Sequence, residues 1–226
     1  MTKMTYPKAP WTLHGYALQT CQLLDAKRVR PFIPPQLELV CVLPGKTVGG
    51  IYVSHYGTGS VLEYSELIVV AGLVSYSGQM GGWISHIYVD NADSIAGGRN
   101  IWGLPKEGAE FTWEKNTSAN LAFKNRLLVS QGERTLCQFS YNPPNFELPL
   151  SLSANAFSTK SDSIVLFKSH FECRLSLMAA QLQIPSESSF AKLGLEHPWL
   201  TLSLNQLRLV VSSPETVGLR ETVVTQ

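Results

Sequence analysis

The segment Phe167–Leu177 constrains the possible folds more strongly than any other part of this sequence. Apolar side chains occupy every second position except that of Ser169, and charged or polar side chains occupy the positions between them. A period of two with one apolar face is typical of an antiparallel strand that is buried on one side. Leu200, Leu202 and Leu204 repeat the pattern before it shifts near Gln206. The sequence therefore predicts a mainly β protein whose strands form a closed or partly closed barrel.

Two short helices are predicted between the strands. Ala92–Trp102 follows the potential capping pair Asp90-Asn91, although Gly97-Gly98 weakens its helical propensity. Ser186–Leu193 begins with polar residues and is followed by Gly194, as expected at the end of a helix. The expected architecture is thus a barrel with flanking strands and a few short helices.

Length and composition set further bounds. The chain of 226 residues shows no linker-like stretch, so we expect a single domain over residues 1–226. Hydrophobic residues make up 44% of it, which suffices for a sizeable core, and the net charge of +1 argues against nucleic-acid binding. The longest apolar run, Leu67–Val74, is too short for a membrane span, and Met1–Trp11 lacks the apolar stretch of a secretory signal. We therefore expect a cytoplasmic protein that binds neither nucleic acid nor membrane.

The histidines and cysteines give no sign of a metal site. None of the five histidines belongs to an HExxH motif or a close pair, and the four cysteines include no CxxC pair. The sequence also has no phosphate-binding loop and no dinucleotide-binding fingerprint. These patterns argue against a metal site and against a bound nucleotide.

Lys106 is the residue with the clearest chemical potential. It follows Pro105 and lies close in sequence to Trp102 and Leu104, which could form an apolar pocket around it. Apolar surroundings disfavour the charged ammonium form, and a neutral amine can attack a carbonyl carbon. The alternative, which composition and spacing alone favour, is a turn lysine that points into water.

Three segments in this order resemble the acetoacetate decarboxylase family. Together they span about residues 15 to 115, or roughly half of the chain. They are Ile33–Leu39, Glu63–Glu66, and the run that begins with Tyr88-x-Asp90-Asn91 and continues through Gly98-Arg99 to Pro105-Lys106.

The resemblance implies an antiparallel β-barrel of the acetoacetate decarboxylase-like type and a mechanism without a cofactor. Lys106 would form a Schiff base with a β-keto acid or a related small keto acid, and the protonated imine would accept electrons from the breaking bond. Glu66 matches a family glutamate that moves protons or orients the substrate. We predict Arg99, Leu104 and His86 as substrate-binding residues. The resemblance also suggests a homo-oligomer.

The chain departs from the acetoacetate-cleaving members at three positions. Glu107 stands where they carry a second lysine, Leu23 falls near the position of an arginine, and Ile51 near that of another glutamate. These departures put acetoacetate itself in doubt. Two alternatives follow, namely an aldolase-dehydratase that uses the same imine without losing carbon dioxide, and a ligand-binding protein without turnover. Glu107 could face the pocket or the outside, because successive residues of an extended strand point to opposite faces.

Overall fold

The computed structural model describes residues 6–115, 123–144 and 146–219. The longer elements of the first half are strands β1 (Trp11–Asp25), β3 (Lys46–Tyr56), β4 (Tyr64–Tyr76) and β5 (Gln79–Val89), and helix α2 (Ala92–Trp102). The shorter ones are helix α1 (Ala26–Val29), the 3₁₀ turn Arg30–Phe32, and strands β2 (Glu38–Leu39), β6 (Lys106–Gly108) and β7 (Glu110–Lys115). The second half contains β8 (Asn125–Gln131), β9 (Arg134–Tyr141), β10 (Leu148–Lys160), β11 (Ser163–Leu177), β12 (Ala180–Gln183), β13 (Leu200–Val211) and β14 (Glu215–Leu219).

Seven long strands close into a ring. Their order is β4-β3-β1-β13-β11-β10-β5, and the pairing of β5 with β4 completes the circuit. This confirms the predicted mainly β fold with few helices. Most pairings are antiparallel, as predicted, and two are parallel, namely β10 with β5 and β5 with β6. The parallel contact of β10 with β5 involves only Ala156 and Phe157 of β10, so it is a short pairing within the ring.

A second sheet, ordered β12-β9-β8-β7, packs against the outside of this ring. Residues such as Val53 and Leu67 point outward and share one buried cluster with Leu127 and Phe139 of the second sheet. Their sequence neighbours on β3 and β4 consequently point into the ring, because side chains alternate along a strand. The main core lies between the two sheets, and the ring interior remains available for a site.

The sequence predicted several elements closely. The alternating segment forms β11, and the helix over residues 92–102 occurs with Asn91 as its N-cap, since its Oδ1 accepts a hydrogen bond from Ser94 N at 2.9 Å. The shift near Gln206 corresponds to an irregularity of β13, where this residue adopts a left-handed φ of 48°. Such a bulge inserts one residue and reverses which face the following side chains occupy.

The predicted helix over residues 186–193 was wrong. Only Ala191–Leu193 forms a helical turn, of the 3₁₀ type, and Gly194 follows it with a φ of 75°. Phe190 and Leu193 are fully buried in the main core. A segment this short has little helical stability of its own, so tertiary packing of its apolar side chains decides its conformation.

Among the described residues, no helix has the length and apolar character needed to span a membrane.

Candidate active site

Lys106 lies on β6, which runs parallel to β5 and pairs with it at Ile87. Its side chain is buried, with 2% of its surface exposed, and helix α2 packs against it. A Cβ atom at Gly98 would lie 2.5 Å from Lys106 Cδ, and one at Gly97 would lie 2.6 Å from the Trp11 ring. The glycine pair that weakened the helix prediction is therefore what allows the helix to approach both side chains.

The Lys106 amine has two polar partners in this buried setting. Its Nζ lies 2.7 Å from Glu66 Oε1 and 3.0 Å from Ser94 Oγ. The rings of Tyr64 and Trp11 lie beside it, with centroids 5.0 and 5.7 Å from Nζ. Amine and carboxylate thus form a hydrogen-bonded pair that together holds one transferable proton.

Residues of the sequence run 88–106 hold this pair in place. Asp90 Oδ1 accepts a hydrogen bond from Ser65 N at 2.7 Å, which ties the end of β5 to the residue before Glu66. Arg99 Nε donates to the Lys106 carbonyl oxygen at 2.8 Å. Ser94 lies in the first turn of α2, and its backbone N donates to the side chain of the capping residue Asn91. Hydrogen bonds to the backbone therefore hold both chain segments in place, the one that carries Glu66 and the one that carries Lys106.

Three buried tyrosines surround the same end of the ring. The hydroxyl oxygens of Tyr52 and Tyr56 are 3.0 Å apart. Burial raises the pKa of Tyr52 and that of Tyr56. Burial, and next the negative charge of Glu66, raises the pKa of Tyr64 well above its usual value. All three hydroxyls therefore stay protonated near neutral pH and can donate hydrogen bonds.

Lys106 and Glu66 face a cavity of about 550 Å³ inside the ring. Most of the lining is apolar, and representative side chains are Trp11, Ile68, Ile84, Leu104, Phe167 and Leu209. Uncharged polar lining comes from residues such as Gln19, Tyr52, Tyr64, Asn155 and Ser169. Among the residues that the structure describes, Lys106 and Glu66 are the only charged side chains of this lining. The cavity is therefore a mostly apolar chamber with one hydrogen-bonded acid–base pair in its wall.

The structure brings together Lys106, Glu66 and Leu104, but it does not place Arg99 or His86 at the cavity. Arg99 is exposed, and the contact of its guanidinium with the Lys106 backbone makes it a positioning residue.

His86 points to the opposite side of β5. Its ring lies between the rings of Phe32 and Phe190, with centroids 6.0 Å away in each case, and burial lowers its pKa. Ile84 lines the cavity, and an unbroken period of two would have placed His86 there as well. The irregular pairing of β4 with β5 shifts the period, so that Ile87 faces inward instead. The predicted substrate-binding role of His86 is therefore not supported.

The sequence left two orientations open for Glu107, toward the pocket or toward the outside, and the structure shows the outward one. Its side chain is exposed, and its Oε2 accepts a hydrogen bond from Gln131 Nε2 at 2.9 Å. Ile51 lies in the main core, and its neighbour Tyr52 faces the cavity on β3. None of the positions that differ from the acetoacetate-cleaving members therefore supplies a charge to the chamber.

Sequence reasoning missed Ser94, Tyr64 and Tyr52 as parts of the site. Ser94 could have been found, because it lies four residues before Gly98 and shares its helix face. The tyrosines gave no such signal, since buried aromatic residues are common in any core.

The described residues contain no group of three metal-ligating side chains that could hold a metal ion.

Solved structures with the same fold include an acetoacetate decarboxylase from Legionella pneumophila. It is 17% identical, and the superposition covers 95% of this chain and 89% of that one with a TM-score of 0.67. A second is the enduracididine biosynthesis enzyme MppR complexed with the condensation product of pyruvate and imidazole 4-carboxaldehyde. That chain is 14% identical with a TM-score of 0.63, and the superposition covers 96% of this chain and 92% of MppR.

Sequence relatives extend the likeness to plants. Protein NEOXANTHIN-DEFICIENT 1 of Solanum lycopersicum is 25% identical over an alignment that covers 96% of this chain and 95% of the tomato protein. The family model for acetoacetate decarboxylase matches residues 3–169 of this chain, a stretch that includes both Glu66 and Lys106. The chain therefore belongs to the acetoacetate decarboxylase family.

Proposed function

We propose that this protein is a lyase that forms a Schiff base between Lys106 and the carbonyl carbon of its substrate. The observation that carries the proposal is the buried Lys106 amine, hydrogen-bonded to the Glu66 carboxylate and facing a cavity large enough for a ligand. A buried lysine paired with a proton acceptor is a common arrangement for an amine nucleophile.

The first step needs a free amine, and Glu66 is the group placed to take the proton from Lys106. The amine nitrogen then adds to the carbonyl carbon, and the carbonyl oxygen leaves as water after two protonations. A protonated imine results, whose positive charge remains next to the Glu66 carboxylate. Ser94 Oγ and the protonated Tyr64 hydroxyl are near enough to this end to orient the oxygen that leaves.

Two reactions can follow from the imine. With a β-keto acid, the bond to the carboxylate breaks, its electron pair moves into the imine, carbon dioxide leaves, and the enamine takes up a proton. In the aldol and dehydration route, Glu66 removes a proton from the carbon next to the imine. The resulting enamine attacks the carbonyl carbon of an aldehyde, and water is eliminated from the adduct.

A specific observation favours the second reaction. Decarboxylation requires a carboxylate on the substrate, and no charged group other than the Lys106–Glu66 pair lines the described part of the chamber to bind one. The aldol and dehydration route has no such requirement, because it also accepts a carbonyl compound without a carboxylate. The MppR complex contains the product of a condensation between a keto acid and an aldehyde, which supports this type of reaction on the same fold.

Borohydride trapping tests the proposal. The protein is incubated in parallel with pyruvate, acetoacetate and neutral methyl ketones, reduced with borohydride, and digested for peptide mass analysis. We expect an adduct on Lys106 with at least one of these carbonyl compounds, and the same adduct in Lys124→Arg, which changes an exposed lysine. Carbon dioxide release distinguishes decarboxylation from condensation. Adducts on other lysines only, or none with any compound, would instead indicate a ligand-binding protein without turnover.

A further inference from the structure

We infer that the substrate of this site is a neutral ketone or aldehyde with an extended apolar tail, rather than a small keto acid. The inference rests on the proposed Schiff-base function, because it assigns the carbonyl group to Lys106. It adds which class of molecule the chamber around that lysine accepts.

The charge of the site favours a neutral substrate. The Lys106–Glu66 pair carries no net charge, whichever of the two holds the shared proton. The net charge stays at zero when the amine becomes a protonated imine. The imine nitrogen is Lys106 Nζ, which lies 2.7 Å from Glu66 Oε1, so the imine cation still faces the carboxylate. A carboxylate on the substrate would add a second negative charge beside Glu66 in a buried, mostly apolar chamber. Burying a charge without a partner is strongly unfavourable, so a neutral substrate fits this wall better.

The chamber is long compared with a small keto acid. Its lining on β4 runs from Glu66 to Leu73, and on β5 from Ile87 back to Met80. Seven residues of extended strand correspond to roughly 20 Å. Lys106 is at the buried end, since β6 pairs with β5 at Ile87, and the exposed Met80 is at the other end. The chamber therefore reaches far beyond the volume that the reacting carbonyl group needs.

The chamber also offers more apolar surface than a small ligand would cover. A cavity of about 550 Å³ falls within the range of roughly 300–1,000 Å³ that is usual for pockets enclosing a drug-sized ligand. A keto acid of a few carbon atoms would fill only the Lys106 end. The remaining apolar wall, which includes Val70, Phe171 and Ala154, would then stay in contact with water. An apolar tail removes this surface from water, and that is the usual source of affinity in such a pocket.

A chain-length series measures this preference directly. The rate constant for borohydride trapping of Lys106 is determined with 2-butanone, 2-hexanone, 2-octanone and 2-decanone, and in parallel with pyruvate and acetoacetate. We expect the rate constant at low ketone concentration to rise up to about fourfold for each added methylene that becomes buried. The two keto acids should react more slowly than 2-octanone.

A blocking variant tests whether the tail lies in the chamber. Ala154 lines the chamber near its exposed end, whereas the preceding residue, Ser153, does not and contacts His170 on the outside. Ala154→Phe should lower the trapping of 2-decanone by about tenfold or more, which corresponds to losing about two buried methylenes. It should leave 2-butanone trapping nearly unchanged, because the change is remote from Lys106. The matched control, Ser153→Phe, should affect neither ketone.

The outcomes separate this inference from the proposed function. Trapping of Lys106 that is independent of chain length, or fastest with pyruvate or acetoacetate, overturns the inference and leaves the Schiff base intact. An equal effect of the two phenylalanine variants also overturns it. The absence of any Lys106 adduct, even with the longest ketone, overturns the proposed function itself.

Discussion

Two regions of the ring meet at the cavity and differ in how they are built. The run Tyr88–Gly108 holds the reactive pair through named polar contacts, with Asn91 as a helix cap, Asp90 bound to the β4 backbone, and Arg99 bound to the Lys106 carbonyl. The opposite wall, from β10, β11 and β13, contributes mostly apolar side chains that face inward by alternation.

The difference separates chemistry from substrate choice. The polar run fixes one amine and one carboxylate within 2.7 Å of each other, so a change there should affect reaction with every carbonyl compound. The apolar wall touches only the rest of the substrate, so a change there should affect some compounds and spare others. Substitutions in the polar run and at its partner Glu66 test this difference, in order of decreasing expected effect.

Replacing Lys106 should have the largest effect. Lys106→Arg removes the nucleophile, and we expect no adduct above background and a loss of turnover on the order of 10⁴-fold or more. The larger guanidinium must fit beside Glu66 and could destabilise the fold, so the thermal unfolding of the variant is measured together with its activity. The double variant Lys106→Met with Glu66→Gln removes the charges of both partners and serves as the folding control. Undiminished trapping in a folded Lys106→Arg protein would assign the reaction to a different lysine.

Glu66→Gln should have the next largest effect. The amide retains the shape of the side chain but cannot accept the proton that the reaction moves, so turnover should fall by about 10²–10⁴-fold. Imine formation should remain detectable by trapping, because attack by the amine and proton removal are separate steps. Glu63→Gln, three residues earlier and exposed, is the matched control and should retain full activity. Equal turnover in both variants would exclude Glu66 from proton transfer.

Gly98→Ala tests how closely α2 must approach the lysine. The added Cβ would meet Lys106 Cδ at 2.5 Å, so the lysine side chain or the helix must shift from its present position. Overpacking of this kind costs about 1–3 kcal/mol of stability, and imine formation should slow by about tenfold if a similar free energy opposes the reactive geometry.

Gly57→Ala is the matched control, because its Cβ would lie 3.9 Å from His55 Nε2, an ordinary contact distance. Its stability and trapping rate should stay near those of the unmodified protein. If Gly98→Ala behaved the same way in urea unfolding and trapping, the tight helix contact would be irrelevant to the site.

Glu107→Lys should have the smallest effect. Its side chain is exposed and points to Gln131, so a charge reversal there acts on the lysine only through solvent. We expect the rate of imine formation between pH 6 and 9 to change by no more than about twofold, and less at high salt. An acceleration much larger than that near neutral pH would mean that residue 107 reaches the chamber in solution. Glu110→Lys, also exposed, controls for the change in net charge.

Local patterns in the sequence determined a large part of this protein. The strand at residues 167–177 follows from its period of two, and the helix at 92–102 follows from the capping pair Asp90-Asn91. Lys106 and Glu66 were predicted from a family resemblance, and the structure places the two side chains together. These features depend on neighbours in sequence or on a recognisable run of residues, and both can be read without the fold.

Only the tertiary structure decided which side chains face the chamber. Because the pairing of β4 with β5 is irregular, the next inward-facing residue after Ile84 is Ile87, and the next after Val70 is Leu73. His86 consequently faces away from the chamber. Ring closure depends on the short parallel contact between β5 and β10, which are far apart in sequence. A bulge shifts every later side chain to the other face, and long-range pairing sets where it occurs. Periodicity thus predicted the strands, whereas the location of their irregularities determined the site.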